Sequence, residues 1–162
     1  MLVDLTTSQI STAIVLHLFA EAYRRSKRGT FSNEPPAVAP TVAELARAWQ
    51  QALDEHVDLE QWARYVSRQH AARKPWKGRD AHAATMLHVW MSGHHSARAE
   101  LPPVEAIPGC VDSAALHRLW DELPDHARRR WFGFTEQIER TILDVVLRPP
   151  TTETTSPAPS NV

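Results

Sequence analysis

Four side chains in this sequence have the types and spacing that a metal site in a helical protein would use. His17 and Glu21 stand four residues apart, so on one helix their side chains share a face. His56 and His88 belong to other segments, and metal sites in helical bundles take imidazole and carboxylate ligands from several helices. The set His17, Glu21, His56 and His88 therefore predicts, as one alternative, a divalent metal ion as cofactor. No His-Glu-x-x-His motif accompanies these residues.

The interpretation that we favour for His17 is structural and needs no cofactor. His17 interrupts an otherwise apolar stretch, Ala13–Ala20, and an unpaired charged imidazole is too costly to bury there. We expect a neutral ring that takes part in a hydrogen bond, with Glu21 one helical turn away as an available partner.

A basic turn in residues 73–79 is the candidate contact surface for a partner. Its predicted partner-binding residues are Arg73, Lys74, Trp76, Lys77 and Arg79. Such a turn suits a phosphate group or an acidic partner, but the interpretation that we favour is a plain solvated connection with Trp76 folded back as a lid. The formal net charge of -1 argues for no particular partner. A protein partner is favoured over nucleic acid, because the four basic residues that end the first helix would need a larger basic surface around them to bind nucleic acid.

The single cysteine, Cys110, bears on the cellular compartment and on catalysis. One thiol excludes an internal disulfide and fits a reducing cytoplasm. Asp4 precedes the first apolar run without any basic residue, so we expect no secretory signal, and the run is shorter than the about 20 residues that cross a bilayer. Cys110 is a weak candidate nucleophile, since a lone cysteine with histidines elsewhere is common by chance. The sequence predicts a cytoplasmic protein without membrane association.

The elements that must position these residues are all predicted to be helices. Two capping boxes, at Thr6 and Thr41, and a third start signal at Asp58 mark the first three helices. Gly29 is suited to end the first helix near Lys27. The remaining predicted starts are Asp80, Asp112 or Ser113, and Pro124, and Gly93 is expected to end or kink the fourth helix.

The first helix is the predicted centre of the fold, because it is apolar on nearly every side. No alternating apolar run predicts a strand. We therefore expect an all-α domain over residues 1–148, with about six helices in an irregular bundle around the N-terminal helix. Residues 149–162, rich in Thr, Ser and Pro, are a predicted disordered tail. Trp120 and Trp131 are expected to be buried together across the Leu123–Pro124 break.

A DNA-binding function is a further alternative, because Thr41–Ala46 is similar to the first helix of a helix-turn-helix. That motif needs a tight turn about four residues later, but the predicted helix continues through Leu53.

The segment Leu116–Trp131 resembles a segment of small helical proteins from actinobacterial phages and mobile elements. Both have a short helix with a Trp, a Leu-Pro break, and an Arg and an aromatic residue on the next helix. The resemblance implies an accessory protein of unknown activity. The predicted function is thus a non-enzymatic accessory or protein-interaction protein, with a metal-dependent helical-bundle enzyme and a helix-turn-helix regulator as alternatives.

Overall fold

A computed structural model describes residues 5–73, 80–100 and 113–146, and every regular element within these ranges is an α-helix. The six helices are α1 (Thr7–Arg28), α2 (Val42–Asp54), α3 (Leu59–Arg73), α4 (Asp80–Arg98), α5 (Ser113–Asp121) and α6 (Asp125–Val146). The predicted all-α class and the number of helices are thereby confirmed. The tail that the sequence predicts over residues 149–162 lies outside the described residues.

Local hydrogen bonds at the first two helix starts are those that the sequence predicts. The hydroxyl of Thr6 accepts from the backbone N–H of Gln9 at 3.2 Å, and the side chain of Gln9 accepts from the N–H of Thr6 at 3.0 Å. The same reciprocal pair joins Thr41 and Glu44. At the far end of α1, Gly29 takes the left-handed conformation with φ 76°, which any residue with a Cβ adopts at a cost.

α1 lies at the centre of the bundle and packs against α2, α3, α4 and α6. This confirms the predicted arrangement around the N-terminal helix. α4 is a second central helix, because it packs against α1, α3, α5 and α6. Leu87, Val89 and Trp90 of α4 are all buried although they project from different sides of the helix.

Gly93 does not end α4, which continues to Arg98, so the predicted end of the helix at this residue is wrong. A Cβ at position 93 would lie 2.5 Å from the backbone oxygen of Phe19 and 2.9 Å from the Cβ of Ala22. Gly93 is therefore the point at which α4 touches the backbone of α1. The residue serves helix packing and not helix termination.

The two tryptophans at the junction of α5 and α6 are buried as predicted, with 4% of Trp120 and none of Trp131 exposed. The indole N–H of Trp131 donates to the backbone oxygen of Asn33 at 2.8 Å. In the same way Trp90 donates to the adjacent oxygen of Ser32 at 2.7 Å. Residues 29–41, which connect α1 to α2, are thus fixed to both α4 and α6.

Candidate functional site

A groove of about 480 Å³ lies between α1, α2 and the beginning of α3, and we call it the α1–α2 groove. Its volume falls in the range of about 300–1,000 Å³ that is usual for binding pockets. Phe19 and Trp62 form its floor, with their rings in edge-to-face contact at a centroid distance of 5.1 Å. Both rings are buried and well packed, so the floor is preformed.

Short side chains keep the groove open. Ala20 of α1 and Ala48 and Ala52 of α2 line it at positions where larger residues would fill the space between the two helices. The groove between the two helices therefore stays open because its lining side chains are small.

Apolar surface remains accessible along the walls of the groove. Leu16, Tyr23 and Val57 are only partly buried, and all three line it. Val57 reaches this position through the turn after α2, in which His56 adopts φ 57° and the N–H of Val57 donates to the oxygen of Ala52 at 2.9 Å. These side chains give the groove partly exposed apolar walls.

Charged side chains of both signs border the groove. His17 and Arg24 come from α1, and Glu44, Arg47 and Glu55 come from α2. The pKa of Glu44 is lowered chiefly because the backbone N–H of Thr41 donates to its carboxylate. Burial lowers the pKa of His17, although nearby Glu44 and Glu21 act in the opposite direction. At neutral pH the border therefore carries two cations, two anions and a neutral imidazole.

The predicted metal ligands do not form one site. The carboxylate of Glu21 is held by Arg24 at 2.7 Å and Arg25 at 2.9 Å, and Glu44 is the carboxylate with the larger electrostatic effect on His17. His56 is exposed in the turn after α2. Throughout residues 5–73, 80–100 and 113–146, no group of three or more His, Cys, Asp or Glu side chains is arranged to hold a metal ion.

His88, the fourth predicted ligand, belongs to a polar cluster between α3 and α4. Its Nδ1 lies 2.7 Å from the hydroxyl of Tyr65 and 2.8 Å from Nε2 of Gln69. Burial lowers the pKa of His88 to about 4, so its ring is neutral at physiological pH. The imidazole is thus already engaged by two neighbouring side chains.

The predicted basic turn and the predicted nucleophile lie outside the described residues. Arg73 ends α3, but its side chain, together with Lys74, Trp76, Lys77 and Arg79, is not described, and neither is Cys110. Their roles stay predictions.

The sequence did not indicate the α1–α2 groove. The residues that could have indicated the groove are Ala20, Ala48 and Ala52, which lie where α1 and α2 face each other. Their importance is apparent only once it is known that these two helices pack together.

Comparisons of the chain with protein-family models, with curated proteins and with solved structures give no match. Among the helices of the described ranges, none combines the length and the apolar character needed to cross a membrane.

Proposed function

We propose that this protein is a non-enzymatic interaction protein that holds an amphipathic helix of a protein partner in the α1–α2 groove. The observation that supports the proposal is the groove itself, with its preformed aromatic floor, partly exposed apolar walls and charged border. Recognition of a helix in a groove uses this combination, because the apolar face of the helix enters and its polar face stays in water.

The charged border indicates what kind of helix fits. Arg47 is exposed, and no carboxylate of the described residues lies within ion-pair distance of it. Glu55 is also exposed and accepts a hydrogen bond from Gln51 at 2.9 Å. A partner helix that carries both acidic and basic residues beside its apolar stripe would complement these groups, and such pairs contribute to specificity more than to affinity.

Two of the charged groups of the groove already have structural roles, which favours recognition over acid–base catalysis by them. Glu44 completes the capping box of α2, and Arg24 is paired with Glu21. A general acid or base must instead be within hydrogen-bond reach of the group that it protonates or deprotonates.

A variant in which a large side chain fills the α1–α2 groove tests the proposal. Ala48→Trp places an indole in the groove, whereas Ala63→Trp adds the same side chain at an exposed position of α3 that does not line it. Proteins retained by the wild type and by each variant are quantified, and the affinity of each candidate is then measured with purified components. We expect a partner whose Kd rises at least tenfold with Ala48→Trp and is unchanged with Ala63→Trp. Equal affinities for the two variants would contradict the proposal.

The other predicted functions have direct tests. One equivalent of zinc, iron or manganese in protein purified without chelator would favour the metal-dependent enzyme. Retention on DNA that falls steeply with salt would favour the regulator, although α2 continues unbroken to Asp54 and so lacks the tight turn of a helix-turn-helix. We also propose a cytoplasmic location and an accessory role in a phage or mobile element, on the grounds that the sequence provides.

A further inference from the structure

A second pocket, of about 170 Å³, lies between α1, α3, α4 and α6, and we call it the core pocket. Ile14 and Leu18 of α1 line it, whereas Leu16 and Ala20 line the α1–α2 groove, so the two sites lie on opposite faces of α1. The core pocket is therefore separate from the groove, and an inference about it does not depend on the proposed function.

The interior of the core pocket is mostly apolar. Val89 and Ile138 are buried in its wall, and Met86, an adaptable side chain, is partly buried there. The hydroxyl of Thr85, which also lines the pocket, already donates to the backbone oxygen of Ala81 at 2.8 Å. An apolar cavity of about 150 Å³ is large enough to bind benzene. The core pocket thus has the size and the lining for one aromatic ring.

Two ionisable side chains stand at the edge of the core pocket. His82 of α4 and Glu139 of α6 both line it, and 46% and 52% of their side-chain surface is exposed. Nδ1 of His82 lies 3.7 Å from Oε2 of Glu139, so the two side chains meet across the gap between α4 and α6. The carboxylate of Glu139 therefore lies where the apolar interior meets the solvent.

The carboxylate of Glu139 can still accept hydrogen bonds. Its distance from His82 is longer than a hydrogen bond, and no other side chain in the described parts of the chain donates to it. The lining residues that the structure describes include this carboxylate but no Lys or Arg. The edge of the pocket therefore attracts a cationic group and repels an anionic one.

We propose that the core pocket binds a small primary amine with one aromatic ring, of the phenethylamine type. The ring packs against Val89 and Ile138, and the protonated amine donates to the carboxylate of Glu139. The ammonium group keeps part of its hydration, because the side chain of Glu139 is half exposed, and so it is not buried unpaired. The ring supplies most of the affinity, and the amine supplies the selectivity for a cation over an anion.

Three ligands of similar shape test the proposal on the full-length protein: phenethylamine, the neutral 2-phenylethanol and the anionic phenylacetate. Each is titrated into isotopically labelled protein, and the NMR shifts of the backbone amides report both the site and the affinity. We expect phenethylamine to bind most tightly and to shift the amides of Val89 and Ile138. Phenylacetate should bind about five- to tenfold more weakly, because Glu139 repels its carboxylate.

Glu139→Gln removes the charge of this side chain and keeps its shape. It should weaken the binding of phenethylamine about two- to fivefold, leave that of 2-phenylethanol unchanged and strengthen that of phenylacetate. Asp144→Asn is the matched control, because Asp144 is an exposed residue of α6 that does not line the core pocket. This control alters the net charge of the protein equally and should change none of the three affinities.

A variant that fills the core pocket gives an independent test. Val66 lines the pocket and is only partly buried, so Val66→Phe places a ring in it, whereas Ala63→Phe adds the same ring at an exposed position of α3 outside the pocket. Phenethylamine should not bind the first variant and should bind the second unchanged, with folding checked by circular dichroism. If Val66→Phe does not fold, the half-exposed Glu139→Gln remains decisive.

Four results would overturn the proposal. Phenethylamine fails to bind the wild type, phenylacetate binds as tightly as phenethylamine, Glu139→Gln changes the three affinities no more than Asp144→Asn does, or folded Val66→Phe binds phenethylamine unchanged.

Discussion

Gly93→Ala is expected to destabilise the protein, although alanine is the better helix former. The added Cβ would lie 2.5 Å from the backbone oxygen of Phe19, whereas ordinary contacts begin at 3.4 Å. α1 and α4 would have to separate locally by up to the difference, 0.9 Å. The obstructing atom belongs to the backbone of the central helix, so it cannot move aside as a flexible side chain would.

The magnitude follows from two opposing effects. Replacing glycine by alanine within a helix gains about 1 kcal/mol, and overpacking a well-packed core costs about 1–3 kcal/mol. Because the contact is with backbone, we expect the upper end of that cost and a net loss of about 2 kcal/mol. Gly133, within α6, is the matched control, since a Cβ there meets nothing within 4 Å. Gly133→Ala should therefore stabilise the protein by about 0.5–1 kcal/mol.

Urea unfolding of both variants, followed by circular dichroism, measures these free energies. Gly93→Ala should be less stable than the wild type and Gly133→Ala more stable, so that the free energies of unfolding of the two variants differ by about 2.5–3 kcal/mol. If Gly93→Ala proved as stable as Gly133→Ala, α1 and α4 would not be in the close contact described, and our explanation of Gly93 would be wrong.

Two further predictions concern His88 and Trp131. Burial lowers the pKa of His88 from 6.5 to about 4, so between these pH values the unfolded chain binds a proton that the folded chain does not. The contribution of His88 to the free energy of unfolding should therefore be complete above pH 6.5 and fall by up to about 3 kcal/mol as the pH approaches 4. Urea unfolding at pH 7, 5 and 4 should show that the free energy of unfolding depends less on pH in His88→Gln than in the wild type. The pH dependence that remains in the variant is due partly to His17. The same pH dependence in both proteins would contradict this prediction. Trp131→Ala should cost about 3–5 kcal/mol, because it removes a fully buried ring in contact with Trp90. The exposed Arg129→Ala is its control in thermal melts, and a loss below about 1 kcal/mol in Trp131→Ala would argue against its place in the core.

The sequence predicted those features that depend on neighbouring residues. The starts of α1 and α2 are set by capping boxes within four residues, and the end of α1 by Gly29. The central position of α1 also followed, because a helix that is apolar on all sides must be covered on all sides. Each of these features could be predicted because it depends on residues close together in the sequence or on the composition of a single helix.

Features that depend on which helices pair could not be predicted in the same way. Gly93 looks like a helix breaker in the sequence, and only its approach to Phe19 shows that it is a packing residue. The role of the alanines that line the α1–α2 groove is likewise apparent only from the packing of the two helices. The partner of Glu21, in contrast, was readable: Arg25 stands four residues on, and a guanidinium attracts a carboxylate more strongly than a neutral imidazole does.

The connection between α1 and α2 has a consequence for how the chain folds. Ser32 and Asn33 accept hydrogen bonds from indoles that lie 58 and 98 residues further along the chain. Contacts over such separations form slowly, because long loops must close first. Ser32 finds its donor only once α4 has packed, and Asn33 finds its donor only once α6 has packed, so we expect the segment between α1 and α2 to become fixed late in folding. During synthesis the carbonyl of Asn33 therefore has no indole partner until α6 has emerged.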